Sequence, residues 1–201
     1  MGILLELECC SKPKIKAGNG SEITRSDKLK ISRIKTNARN IDIGEFTKKM
    51  LKLHNELRNL YSVPELKENS DLNKLAGNYV QNLIKNDNNS YSPNIYKDMC
   101  LGENVSISKT DSPEEIFEMW SQEGKYYNFN TKKYSRKASH FTQIIWKETT
   151  DLGFGFWFDE EKDEYYTVIL YYPPGNSFTD FSSNITNSLQ NINENKNENE
   201  N

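Results

Sequence analysis

The sequence predicts an α+β fold: a three-layer α-β-α sandwich around a central antiparallel sheet. Three observations predict it. Apolar residues recur at helical spacing in three separate stretches between residues 45 and 123, and from Leu152 the period changes to two. The two strands so defined are apolar on both faces, so their sheet needs cover on both sides. The helices can supply that cover, while the strands follow each other directly, which argues against a doubly wound arrangement.

The first helix spans Glu45 to Tyr61. Phe46, Met50, Leu53, Leu57 and Leu60 form one stripe, and Val63-Pro64 ends it. His54, four residues after Met50, borders that stripe. On periodicity alone it reads as a structural histidine at the core edge. Asp71 to Lys85 gives a second helix, capped by Ser70 or Asp71, with Leu72, Leu75, Ala76, Tyr79, Val80 and Leu83 inward. Ser112-Pro113-Glu114-Glu115 opens a third: a capping serine, a first-turn proline and an acid three residues after the cap. Ile116, Phe117 and Trp120 follow at core spacing, and Glu123 falls on the same helix. In the C-terminal part Leu152, Phe154, Phe156 and Phe158 alternate with Gly153, Gly155 and Trp157. A charged turn from Asp159 to Asp163 then leads into Glu164 to Tyr172, and the pair reads as an antiparallel hairpin.

The 201 residues suit one domain, residues 45–181, flanked by an arm (1–44) and a tail (182–201). An apolar fraction of 35% is low for a globular chain and fits flanks outside the core. The net charge of -3 excludes nucleic acid as a partner of the whole chain. No apolar run approaches the ~18 residues of a membrane-spanning helix. The start is too short and too acidic for a signal peptide. Cys9, Cys10 and Cys100 make no disulfide framework and suit a reducing compartment, with Cys100 a free thiol. The Asn/Glu-rich tail cannot bury enough apolar surface to offset its ordering entropy, so it reads as disordered.

The arm carries a sequence of membrane signals. Gly2 follows the initial Met and suits myristoylation, although Glu6 stands where that pattern wants Ser or Thr. Cys9-Cys10 beside an apolar patch suits palmitoylation. From Lys12 to Arg39 the charges are basic apart from Glu22 and Asp27. One acyl chain holds a protein only marginally, and a polybasic stretch adds roughly 1 kcal/mol per cation near an anionic leaflet. The expectation is therefore an acylated arm on the cytoplasmic face of a membrane, Golgi or plasma membrane, rather than an extracellular protein. The plainer alternative is a disordered basic leader.

The chain holds two histidines, His54 and His140. His140 opens the run Phe141-Thr142-Gln143-Ile144-Ile145-Trp146. Together with His54-Asn55-Glu56-Leu57-Arg58, Gly102-Glu103-Asn104-Val105, Trp120 to Phe129, and Tyr171-Tyr172-Pro173-Pro174-Gly175-Asn176, it resembles the CAP superfamily of cysteine-rich secretory, antigen 5 and pathogenesis-related proteins. The motifs stand in the family's order across residues 45–181, and the family's α-β-α sandwich agrees with the periodicity. Ile169 replaces the cysteine of secreted members, and Ser139 stands where Gly or a charged residue is usual. The resemblance therefore points to the intracellular Golgi-associated branch, whose members begin with Met-Gly and carry an N-terminal lipid.

The resemblance implies that His54 and His140 are the two cleft histidines and Glu103 and Glu123 the two acids. Such a set can hold a divalent cation such as zinc. It also implies anionic membrane lipids or sterols as ligands, with a homodimer among the expected states. The motifs supply no convincing nucleophile, for there is no Gly-x-Ser-x-Gly elbow and no evident base beside Cys100. The reading favours a binding protein over an enzyme. A metal-dependent, protease-like hydrolase and a pure protein-interaction module stand as alternatives.

Overall fold

The computed structural model describes residues 42–86 and 95–187. The Asp42 side chain accepts the Glu45 N–H and opens α1 (Ile43–Leu60). Its buried face carries Phe46, Met50, His54 and Arg58, one residue every four. This corrects the expected stripe. Leu53 and Leu57 are only partly buried and Leu60 is 46% exposed, while His54 and Arg58 occupy the centre. Two polar side chains can hold that face because, as described below, their polar atoms are satisfied.

Helix α2 (Ser70–Lys85) is capped by Asn69, not by Ser70 or Asp71. Its side chain accepts from the Asp71 and Leu72 N–H groups. Helix α3 (Pro113–Ser121) starts as expected, with the Ser112 hydroxyl accepting from Glu115 N–H. Glu123 lies just beyond it, on a 3₁₀ turn over Gln122–Tyr126. A second 3₁₀ turn, Arg136–Ala138, leads into the short α4 (Ser139–Ile144).

Strands β5 (Asp151–Asp159) and β6 (Glu164–Tyr172) form the expected hairpin, with Asp159 opposite Glu164. The Asp159 carboxylate accepts the Glu161 N–H within the turn. Strand β4 (Gly102–Ser108) pairs antiparallel with β6. The two-residue β1 (Lys67–Glu68) pairs parallel with β5, so the four-stranded sheet, ordered β1-β5-β6-β4, is antiparallel except at that edge. A separate small hairpin joins β2 (Ile95–Tyr96) to β3 (Met99–Cys100).

Strand alternation divides the core in two. On one face Leu152, Phe154, Phe156, Phe158, Ile169 and Tyr171 pack with residues of α1, α3 and α4. On the other, Tyr166, Val168 and Leu170 pack with Ala76, Tyr79, Val80 and Leu83 of α2. The glycines of β5 belong to this second face. A Cβ on Gly155 would stand 2.4 Å from the Ala76 carbonyl oxygen, and one on Gly153 would stand 2.3 Å from the Leu72 carbonyl carbon. Only a residue without a side chain lets the helix backbone approach so closely.

The fold passes the expected boundary at residue 181. Helix α5 (Phe181–Asn184) and Ile185 follow, and Asn184 and Ile185 are fully buried. Asn184 Oδ1 accepts the Glu148 N–H at 2.9 Å. Cys100 is disulfide-bonded, which corrects the expectation of a free thiol and removes that support for a reducing compartment. The acylation candidates Gly2, Cys9 and Cys10, with nearly all of the arm and most of the tail, lie outside the described residues. Among the described residues no helix is long and apolar enough to cross a membrane.

Candidate functional site

The motif residues of α4 and of the chain after β6 lock to each other. The Thr142 hydroxyl donates to Asn176 Oδ1 at 2.6 Å, and Asn176 Nδ2 donates to the Ser139 carbonyl at 2.9 Å. Gln143 Oε1 accepts the Gly175 N–H at 2.9 Å, while its Nε2 donates to the Thr149 hydroxyl at 3.3 Å. Arg58 ties α1 to the same region. Its guanidinium, wholly buried, donates to the carbonyls of Pro64 (2.6 Å), Ile144 (2.8 Å), Trp146 (2.8 Å) and Thr149 (2.9 Å). Burial lowers its pKa to about 10, so it stays charged at neutral pH.

His54 is the second polar tie. Its Nδ1 lies 2.7 Å from the Met50 carbonyl, which can only accept, so Nδ1 carries the proton. Nε2 therefore accepts, and the Tyr171 hydroxyl donates to it at 2.9 Å. Asn104 Nδ2 donates to the same hydroxyl at 3.1 Å and to the His140 carbonyl at 3.2 Å. Burial pulls the His54 pKa down to about 4, assisted by the Arg58 charge and opposed by the Met50 hydrogen bond. Burial likewise raises the Tyr171 hydroxyl well above its ordinary value. His54 is a neutral imidazole joining α1 to the sheet.

His140 and Glu123 form the partly exposed part of the site. Their side chains are 33% and 21% exposed, and His140 Nδ1 stands 2.6 Å from Glu123 Oε1. Glu123 Oε2 accepts the His140 N–H at 3.0 Å and, more weakly, the Phe141 N–H at 3.4 Å. The Trp120 ring stacks on the imidazole at 5.8 Å and 22°. Together these contacts fix the ring. With Nδ1 held by the carboxylate, Nε2 is the nitrogen left to meet a ligand; it has no hydrogen-bond partner among the described residues.

The structure thus brings His140 and Glu123 together but not the four expected ligands. His54 reaches His140 only through Tyr171 and Asn104, and both its nitrogens are engaged. Glu103 is exposed on β4, and alternation turns it to the face of Val105, opposite Asn104. There its charge raises the pKa of Tyr79 on α2, a lesser effect than burial. Among the described residues no group of three or more His, Cys, Asp or Glu side chains could hold a metal ion. As placed, His54, His140, Glu103 and Glu123 do not fit a shared zinc ion. The residues without an assigned role in the sequence, Arg58, Asn104, Gln143, Tyr171 and Asn176, do the structural work at this site. The signal for Arg58 was present: it lies eight residues after Met50, on the face the sequence already marked as buried.

An α-β-α sandwich whose motif side chains converge behind one histidine–glutamate pair defines the class. The family profile for CAP, the cysteine-rich secretory protein family, matches residues 51–172, and the chain belongs to that family. It is 32% identical over 133 residues to Golgi-associated plant pathogenesis-related protein 1 of Homo sapiens, covering 66% of this chain and 85% of that one. Venom allergen 5 of Vespula maculifrons is 28% identical over 123 residues, covering 49% of this chain, which spans about half (54%) of that relative's length. Among solved structures, that of NaASP2 with Zn2+ superposes with a TM-score of 0.58 at 22% identity, covering 75% of this chain and 89% of the other. That likeness supports the fold.

Proposed function

We propose that the chain is a membrane-attached CAP-domain protein. It is held at the cytoplasmic face of a Golgi or plasma membrane by its N-terminal arm, binds lipids or sterols, and self-associates. The observation that carries this reading is the match to a Golgi-associated relative over 85% of that relative's length, in a chain whose arm orders Gly2, Cys9-Cys10 and a basic stretch. A myristoyl group on Gly2 and the cations from Lys12 to Arg39 would supply the two signals that stable attachment needs. With Cys100 disulfide-bonded and three cysteines in the chain, at most one of Cys9 and Cys10 is left as a second acyl site.

The site supports binding over catalysis. Arg58, His54, Asn104, Thr142, Gln143 and Asn176 give their polar atoms to backbone groups and to one another. A metal-dependent hydrolase using His54 would need its Nε2 to give up the Tyr171 hydroxyl and take a metal at a fully buried position. The test is membrane fractionation of cells expressing the full chain and its Gly2→Ala variant. Attachment predicts that the wild type sediments with membranes and the variant shifts to the soluble fraction. Equal distribution of the two rejects acyl-driven attachment through Gly2.

A further inference from the structure

Four cations lie on one short segment, around a ring that meets a second exposed ring, and the polar network uses none of these side chains. Lys132, Lys133, Arg136 and Lys137 lie on the segment leading into α4. Among the described residues none of them has a carboxylate partner. Tyr134, in their midst, packs its ring edge-on against Phe178 at 5.0 Å and 63°. Phe178 is 59% exposed, more than any other large apolar side chain described, and Tyr134 is 38% exposed. Lys132 Nζ reaches the Ser182 carbonyl at 3.5 Å, on the segment that continues from Phe178. Lys132 and the two rings are therefore held together, while Lys133, Arg136 and Lys137 are exposed on the same short segment. The one acid on that segment, Asp180, accepts from the Ser177 hydroxyl at 2.7 Å.

We propose that this patch is a second, arm-independent docking surface for an anionic bilayer. The inference rests on the membrane-attached reading and extends it to the folded domain. Scattered exposed apolar residues are ordinary, but paired exposed rings next to a run of cations without carboxylate partners among the described residues match a bilayer surface. The rings suit the depth of the headgroups and the cations suit their negative charge. A nucleic acid fits less well, since the chain is net negative at -3 and no helix or ribbon carries the four cations. The 3₁₀ turn bearing Arg136 and Lys137 runs directly into Ser139 and His140, so docking here would bring the approach to the histidine–glutamate pair against the membrane.

The test uses the full chain made without acyl groups, so that it does not depend on lipidation. Sedimentation is measured with phosphatidylcholine vesicles and with vesicles that also carry phosphatidylserine. Four forms are compared: wild type, an arm variant (Lys12→Gln, Lys14→Gln, Lys16→Gln), a patch variant (Lys132→Gln, Lys133→Gln, Arg136→Gln, Lys137→Gln), and both together. The patch variant should lower partition onto phosphatidylserine vesicles at least ~10-fold in either background, and added salt should lower wild-type partition. Phe178→Ser should weaken binding with the cations intact. A charge-keeping variant (Lys132→Arg, Lys133→Arg, Lys137→Arg) should bind like wild type, which separates lost charge from lost fold. Partition that changes less than about twofold on neutralising the patch overturns the proposal, as does equal binding to both vesicle types. Capture of an acidic protein by the patch without vesicle binding also overturns it. None of these outcomes bears on Gly2 acylation, which the fractionation experiment reads separately.

Discussion

Replacing His54 tests whether the motif histidine is a buried neutral tie or a cleft ligand. The His54→Gln variant keeps an amide that can hydrogen-bond but cannot titrate. In the folded chain burial holds the imidazole pKa at about 4, against an ordinary value of 6.5. The sign follows from that order. The folded state favours the neutral ring, so the stabilisation is fully present above pH 6.5 and is lost as pH falls toward 4. The chief reason is burial, which denies the charged ring its water; a protonated Nε2 would also lose the donation it now accepts from the Tyr171 hydroxyl. The gap between 6.5 and about 4 corresponds to roughly 3 kcal/mol in all, of which about 2 kcal/mol is lost by about pH 5. Urea unfolding followed by tryptophan fluorescence at neutral pH and near pH 5 gives the stability of both proteins, and the remaining titrating groups cancel in the difference. The wild-type advantage should shrink by about 2 kcal/mol between the two conditions. A gap constant to within about 0.5 kcal/mol would refute the argument, because it would mean that His54 titrates alike in folded and unfolded chains.

Three further outcomes follow from the same geometry. Arg58→Met should cost roughly 3–5 kcal/mol in chemical denaturation, since it leaves buried carbonyls without donors and opens the contact between α1 and α4; a loss below ~1 kcal/mol contradicts the hydrogen-bond assignment. Gly155→Ala should destabilise by about 1–3 kcal/mol or more, because the new Cβ meets helix backbone at 2.4 Å; unchanged stability would show that α2 can shift freely. If zinc binds the purified chain at all, calorimetry should show that His140→Ala weakens it and His54→Gln leaves it unchanged. Equal weakening by both would restore a two-histidine site.

Periodicity found the layers because packing on both faces of a sheet leaves a direct trace in residue order. Phe154 and Phe156 face one layer of helices while Gly153 and Gly155 admit α2 on the other. The same method misplaced the α1 stripe. Counting Leu53, Leu57 and Leu60 assumes that polar side chains leave the core, whereas His54 and Arg58 are buried with their hydrogen bonds satisfied. Part of that satisfaction is local, from Met50 and Pro64, but the rest comes from residues about 90 and 120 positions away in the chain, which no local pattern shows. Glu103 shows the opposite failure. Its neighbour Asn104 reaches Tyr171 and the His140 carbonyl, but one step along a strand turns a side chain to the other face. The Cys100 bridge was also hidden, because pairing depends on the fold and not on spacing.

The central claim is attachment through the arm, and intact-mass and peptide mass spectrometry of the protein from its own cells tests it most directly. The account predicts an N-terminal peptide beginning at Gly2 that carries a fatty acyl group, recovered from the membrane fraction. An unmodified Gly2, Cys9 and Cys10 in protein that still sediments with membranes would contradict it.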